Sequence, residues 1–181
     1  MRLSLIAAAA ACALFATPAL AQSQTFTDED LTAYTAAMAV IMPISEASAG
    51  APSPEQQAQM AQAVTDAGLT VDQFNAIATA TQADAVLQAR INLLTTPAPA
   101  EGALSTTVSD EEVRQFAQAM VGVRAATAGS TSLTPEQQAA MAEAVTAAGL
   151  TPDRFNAIGS GMSSDAHLRA RIALADAEIA A

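Results

Sequence analysis

The chain has no tryptophan, one tyrosine and five phenylalanines among its 181 residues, so aromatic side chains make up 3% of it. Rings bury more area than other side chains. Without them the core has to be thin, built of aliphatic groups on helices that lie close together. Lysine is absent, every basic residue is arginine, and 7 arginines face 18 acidic residues for a formal charge of −11. Nucleic-acid affinity comes largely from Lys and Arg neutralising phosphates, so nucleic acid is excluded as the main partner. No basic amphipathic stretch occurs, which disfavours anionic membrane surfaces for the same reason.

The one cysteine is Cys12. It lies inside a segment with the marks of an export signal: a positive start at Met1-Arg2, an almost unbroken apolar run from Leu3 to Ala16, and Pro18-Ala19-Leu20-Ala21 ending in an A-x-A cleavage pattern. Residues 1–21 are therefore expected to be a removed signal peptide. Ala9-Ala10-Ala11 ahead of Cys12 lacks the leucine usual before a lipid-attachment cysteine, and ordinary cleavage also explains the later A-x-A. The processed chain, starting at Gln22, would carry no thiol and, without Arg2, a charge of −12. The apolar run is shorter than the roughly 20 residues of a spanning helix, and no other stretch approaches that length. A periplasmic or secreted protein with no transmembrane segment is expected.

What the sequence does contain is a repeat. Sliding it by 81 residues lays Ser53-Pro54-Glu55-Gln56-Gln57-Ala58 on Thr134-Pro135-Glu136-Gln137-Gln138-Ala139, and Ala67-Gly68-Leu69-Thr70 on Ala148-Gly149-Leu150-Thr151. Phe74-Asn75-Ala76-Ile77 falls on Phe155-Asn156-Ala157-Ile158, and Asp84, Leu87, Arg90 and Ile91 fall on Asp165, Leu168, Arg171 and Ile172. Upstream the offset becomes 82, pairing Leu31, Tyr34 and Met38 with Val113, Phe116 and Met120. The organisation expected is a signal peptide over 1–21, a helical repeat over 22–94, a Pro/Ala/Thr-rich linker over 95–106 and a second repeat over 107–181.

Each copy punctuates as four short helices. The first opens at Thr27 or Ser109, an N-cap hydroxyl followed by carboxylates that suit the helix dipole. Ser109 and Glu112 make a capping box, and Phe26 with Leu31, or Val108 with Val113, is placed as a hydrophobic staple. Its buried stripe is Leu31, Tyr34, Met38 and Ile41, or Val113, Phe116, Met120 and Val123. A Ser/Gly/Ala-rich loop, 45–51 or 126–132, leads to a second helix capped by Ser53 or Thr134 with proline next. Met60, Ala63 and Val64, or Met141, Ala144 and Val145, face inward. Gly68 and Gly149 stand where a left-handed C-cap is wanted, with Leu69 and Leu150 placed to complete a Schellman motif.

Thr70 or Thr151 caps the third helix, expected to bury Phe74, Ile77 and Thr81, or Phe155, Ile158 and Met162. Asp84 or Asp165 caps the fourth, expected to bury Leu87 and Ile91, or Leu168, Ile172 and Ile179. No strand is needed, since Ala, Gln, Glu and Leu dominate outside the linkers. The fold class expected is all-α, a tandem repeat of a small four-helix unit. A unit this small has a thin core and gains by burying a face against its twin, so the copies should pack as a pseudo-symmetric bundle.

An acidic helix start before an aromatic and a Met, then A-G-L-T, Asp72 or Asp153, F-N-A-I and a closing D-x-x-L-x-x-R-I, resembles the bacterial domain of unknown function 4168. The resemblance covers nearly the whole chain after residue 21, twice. It implies a small helical exported domain without an assigned activity. This chain departs from the usual pattern in its two copies, its high alanine content and the scarcity of charge on its second helix.

The chemistry-bearing residues read as structural. There is one histidine, His167, with Val86 at its place in the first copy, and with no cysteine beside it the chain could offer zinc only a carboxylate-rich site, so it reads as a structural residue. Ser160, Ser163, Ser164 and Asp165 lie near it, but no nucleophile elbow surrounds them and the first copy has Thr79, Gln82, Ala83 and Asp84 there. Asp28, Glu29 and Asp30, with Asp110, Glu111 and Glu112, lack the ligand spacing and central glycine of a calcium loop. No Gly-rich phosphate loop occurs. Asn75 and Asn156 are expected to be buried pins tying the third helix to the glycine turn, and Arg90 and Arg171 to pair with Asp72 and Asp153. Met38, Met42, Met60, Met120, Met141 and Met162 provide a soft, polarizable lining. Small-residue faces leave room for a groove between the copies.

These readings point to no catalytic residues, no metal and no cofactor. The expectation is an exported, non-catalytic helical interaction or structural module of the bacterial envelope, whose partner is an envelope protein. The alternative is a carrier of a small apolar ligand between Met-lined helices.

Overall fold

The computed structural model describes residues 25–48, 51–128 and 132–181. The expected signal peptide lies outside the described residues. Among them the chain forms α1 (Asp28–Ala47), α2 (Pro54–Asp66), α3 (Val71–Ala83), α4 (Ala85–Thr95), α5 (Asp110–Thr127), α6 (Pro135–Ala147), α7 (Pro152–Gly161) and α8 (Ala166–Ala180), with one short 3-10 turn at Leu104–Thr106. No strand occurs among the described residues. The protein is all-α, two copies of a four-helix unit.

Every helix begins where its cap residue is. The side chains of Thr27, Ser53, Thr70 and Asp84, and of Ser109, Thr134, Thr151 and Asp165, each accept a backbone N–H three residues on. The reciprocal bond expected at Ser109/Glu112 is present, and it recurs at Thr27/Asp30, Ser53/Gln56, Thr70/Gln73 and Thr134/Gln137. Gln56 Oε1, for instance, accepts the Ser53 N–H at 2.8 Å. Each box satisfies two of the amide donors that a helix start leaves without intrahelical partners.

The ends of α2 and α6 are built by glycine. Gly68 and Gly149 have φ of +90° and +92°. The Leu69 N–H reaches the Val64 carbonyl at 3.1 Å and the Gly68 N–H reaches Thr65 at 2.9 Å, with Leu150 to Val145 at 3.2 Å and Gly149 to Thr146 at 3.0 Å in the second copy. Both are Schellman motifs, and they turn the chain so that Leu69 and Leu150 are buried.

Each repeat has its own core. The first gathers Leu31, Ala37, Val64, Leu69, Ile77 and Leu87; the second gathers Val113, Phe116, Ala117, Val145, Leu150, Ile158, Leu168 and Ile172 with Val108, Ala119 and Ala175. Equivalent aromatic pairs sit at equivalent places, Tyr34 on Phe74 at 4.9 Å and Phe116 on Phe155 at 4.8 Å between ring centroids. The repeats meet through their last helices, α4 and α8. Asn92, late in α4, and Thr96, just past its end, share a hollow with Ala166 and Arg169, early in α8, whereas Ala85 and Val86 share another with Ala177 and Ala180. The two helices therefore run antiparallel. Equivalent elements contact each other across the junction, as expected of a pseudo-symmetric pair.

Four expectations are corrected. The α1 helix runs through Pro43 to Ala47, three residues into the expected loop. Ile91 is half-buried at the edge of its core, and Ile179 is 43% exposed because it lies in the last turn of α8, at the chain end. Of the expected linker, residues 104–106 form the 3-10 turn, and Leu104 packs on the second core. The two copies also differ in tightness: a Cβ built on Gly122 would stand 2.6 Å from Ala144 Cβ, so glycine lets α5 and α6 close up. The first copy has Val40 there, 51% exposed, and α1 and α2 leave a shallow groove beside it.

Candidate functional site

Arg90 and Arg171 occupy equivalent places on α4 and α8, and neither pairs with the expected Asp72 or Asp153. Arg90 donates to the Phe26 carbonyl at 3.1 Å and pairs with Asp28. Arg171 donates to the carbonyls of Ser105 and Val108, both at 2.9 Å, and pairs with Asp110 at 2.6 Å. The physical reason lies in the packing, which sets the middle of the fourth helix against the start of the first. There each guanidinium finds both backbone carbonyls ahead of that helix and its first-turn carboxylates. With its side chain 13% exposed and Asp110 at 84%, Arg171 acts mainly through the carbonyls, since a solvated ion pair adds little.

Asp165 is buried and caps α8 through the Leu168 N–H at 2.9 Å while also accepting the Ser105 N–H at 2.8 Å. Burial pushes its carboxyl up, but those N–H donors hold it below the usual carboxylate range. The expected buried asparagines are a second correction. Asn75 and Asn156 are exposed, one position off the stripe that places Ile77 and Ile158 in the cores. His167 is half-buried, its Nδ1 enclosed without a hydrogen-bond partner among the described residues, and shares a hollow with Leu93, Asp110, Arg171 and Glu178. The hydroxyls of Ser163 and Ser164 donate to the Ser160 and Gly161 carbonyls that end α7.

Further ion pairs join helices at places the repeat pattern did not mark. Arg154 on α7 grips Glu112 on α5 with Nε–Oε1 at 2.6 Å and Nη2–Oε2 at 3.0 Å. The Arg154 bonds and the Ser109 N–H pull the Glu112 carboxyl down to about 2. Arg124 on α5 pairs with Asp176 on α8 at 2.5 Å. The first copy has Gln73 in place of Arg154 and Met42 in place of Arg124, so comparison of the copies hid both.

What remains accessible is the junction. A cleft of about 550 Å³ opens between the end of α4 and the α5–α8 face of the second repeat. Its apolar lining includes Phe116, Met120, Met162 and Ile172 with Ala166, Ala170 and Ala173, and Arg124, Arg169 and Asp176 stand in it too. This is within the roughly 300–1,000 Å³ of small-molecule sites. Of the six methionines singled out, Met120 and Met162 line it, while Met42 is 51% exposed. Among the described residues no group of three or more His, Cys, Asp or Glu is placed to hold a metal ion, and no helix is long and apolar enough to cross a membrane.

The molecule is thus an all-helical tandem-repeat protein with an open cleft where its repeats join. Residues 49–91 and 122–172, together more than half of the chain, match the domain of unknown function 4168, and the protein belongs to that family in two tandem copies. Comparison with curated proteins and with solved structures returned no match.

Proposed function

We propose that the protein is a non-catalytic helical module of the bacterial cell envelope, exported through its cleaved N-terminal signal and working by binding. The observation that carries this reading is where its polar groups go. The carboxylates at Asp30, Asp84, Glu112 and Asp165 are engaged in caps, and Arg90, Arg154 and Arg171 in ties between helices. Accessible surface open to a ligand or partner includes the junction cleft and the apolar edges near Val40 and Met42.

The cleft itself favours a second, more definite reading, that of a carrier for a small apolar ligand. Met120 and Met162 give it a deformable lining suited to a flexible hydrocarbon. Native mass spectrometry of the protein isolated from its host's envelope tests both readings. A small-molecule adduct supports the carrier; a bare protein that crosslinks reproducibly to an envelope protein supports the interaction module. An intact mass retaining residues 1–21 would overturn export by cleavage.

A further inference from the structure

Five of the six arginines among the described residues have a carboxylate partner: Arg90, Arg114, Arg124, Arg154 and Arg171 pair with Asp28, Glu111, Asp176, Glu112 and Asp110. Arg169 is the sixth. It stands exposed in the lining of the junction cleft, and its Nη1 donates to the Met162 carbonyl at the end of α7, which engages one of five N–H donors. That bond does not need a charge. In the first repeat the equivalent residue, Gln88, makes the same kind of bond, Nε2 to the Thr81 carbonyl at 2.6 Å. A guanidinium therefore stands where an amide suffices, in a protein short of positive charge.

Arg124 in the same cleft is neutralised by Asp176, so the two arginines and one aspartate leave the lining with an excess of one positive charge. The formal charge of the whole chain is −11, but at physiological salt exposed charges are screened beyond roughly 8–10 Å. A ligand in the cleft responds first to Arg169, since the carboxylate one turn before it, Asp165, is buried and taken up by the Ser105 and Leu168 N–H groups. Beside that cation lie Met162, Met120, Phe116 and Ile172, an apolar lining.

Building on the carrier reading, we propose that the cleft takes a single-chain amphiphile with an anionic head, its hydrocarbon on that apolar lining and its head on Arg169. The probes are dodecanoate below its micelle-forming concentration and dodecan-1-ol below its solubility limit, titrated calorimetrically into the full chain from Gln22. The expected result is one saturable site that holds dodecanoate about five- to tenfold tighter than the alcohol, as for a charge-assisted contact at a partly exposed site. Arg169→Gln installs the residue that the first repeat uses, and should leave the melting temperature unchanged while bringing that ratio to about one. Arg169→Lys should keep most of the preference. Equal binding of the two probes to the parent would overturn the anionic head and leave the apolar carrier standing. A preference that survives Arg169→Gln would place the head elsewhere and overturn the assignment. No binding of either probe would sink the carrier reading with it.

Discussion

Replacing Gly68 by alanine tests whether the Schellman turn after α2 controls stability. At φ +90° an L-residue brings its Cβ against its own backbone, a cost of roughly 1–2 kcal/mol. Alanine also stiffens the unfolded chain, which returns roughly 0.4–1 kcal/mol. No heavy atom lies within 4 Å of the Cβ that would be added, so no packing clash enters. The net loss should be about 1 kcal/mol. For a chain of this size that lowers the melting temperature by roughly 2–4 °C, followed by circular dichroism and checked by the urea midpoint at constant slope. Gly68→Asn should lose less, because asparagine tolerates the left-handed region better than alanine does. At Gly149 the φ is the same, but the new Cβ would stand 2.9 Å from Gln115 Nε2, the movable end of a side chain, so its cost should be equal or slightly larger. Identical midpoints for Gly68→Ala and the parent would refute the conclusion that the positive φ is required.

Arg171→Met should cost about 1–3 kcal/mol, since it strands the carbonyls of buried Ser105 and Val108, whereas Arg90→Met strands the Phe26 carbonyl alone and should cost less. Urea midpoints of the two variants rank them, and the reverse order would reject the carbonyl-based role. The Glu112 carboxyl is held at about 2 in the folded protein against an ordinary 4.5. A depressed folded value stabilises fully above the unfolded one, so this contribution is present above about pH 4.5 and lost as pH falls toward 2. Glu112→Gln should flatten the pH dependence of the melting temperature in that window; an unchanged slope would deny the Arg154 tie. Gly122→Val should cost about 1–3 kcal/mol by forcing α5 off Ala144, and should widen that helix pair toward the spacing that Val40 imposes in the first repeat. A crystal structure with the helices unmoved would contradict it.

Local features of this protein were legible without any tertiary knowledge. The eight cap residues, the two glycine turns and the burial of Ile77 and Ile158 depend on neighbours within about five positions, and a duplicated chain states each of them twice. The exceptions were near misses of the same kind. Asn75 and Asn156, read as pins because both copies keep them, point away from the core; keeping a residue in both copies does not place it inside. Glutamine at the third helical position closed capping boxes that were assigned at Ser109 alone, because an amide oxygen accepts the cap N–H as a carboxylate does.

Packing decided the rest. An arginine can reach several acids, and the choice of Asp28 over Asp72, or Asp110 over Asp153, is made by which helix start lies beside it, more than 60 residues away along the chain. Arg124 and Arg154 have counterparts, Met42 and Gln73, without charge, so comparing the copies could not reveal their partners. The tightness of α5 on α6 follows from one glycine set against one alanine on different helices. The junction cleft depends on how two pre-formed units dock through α4 and α8. Composition and periodicity determined that the chain would be helical, duplicated and thinly cored, since those follow from short-range sterics and hydrogen bonding. The pairing of its charges and the position of the Met-lined junction cleft required the three-dimensional arrangement, because each joins groups that the chain holds far apart.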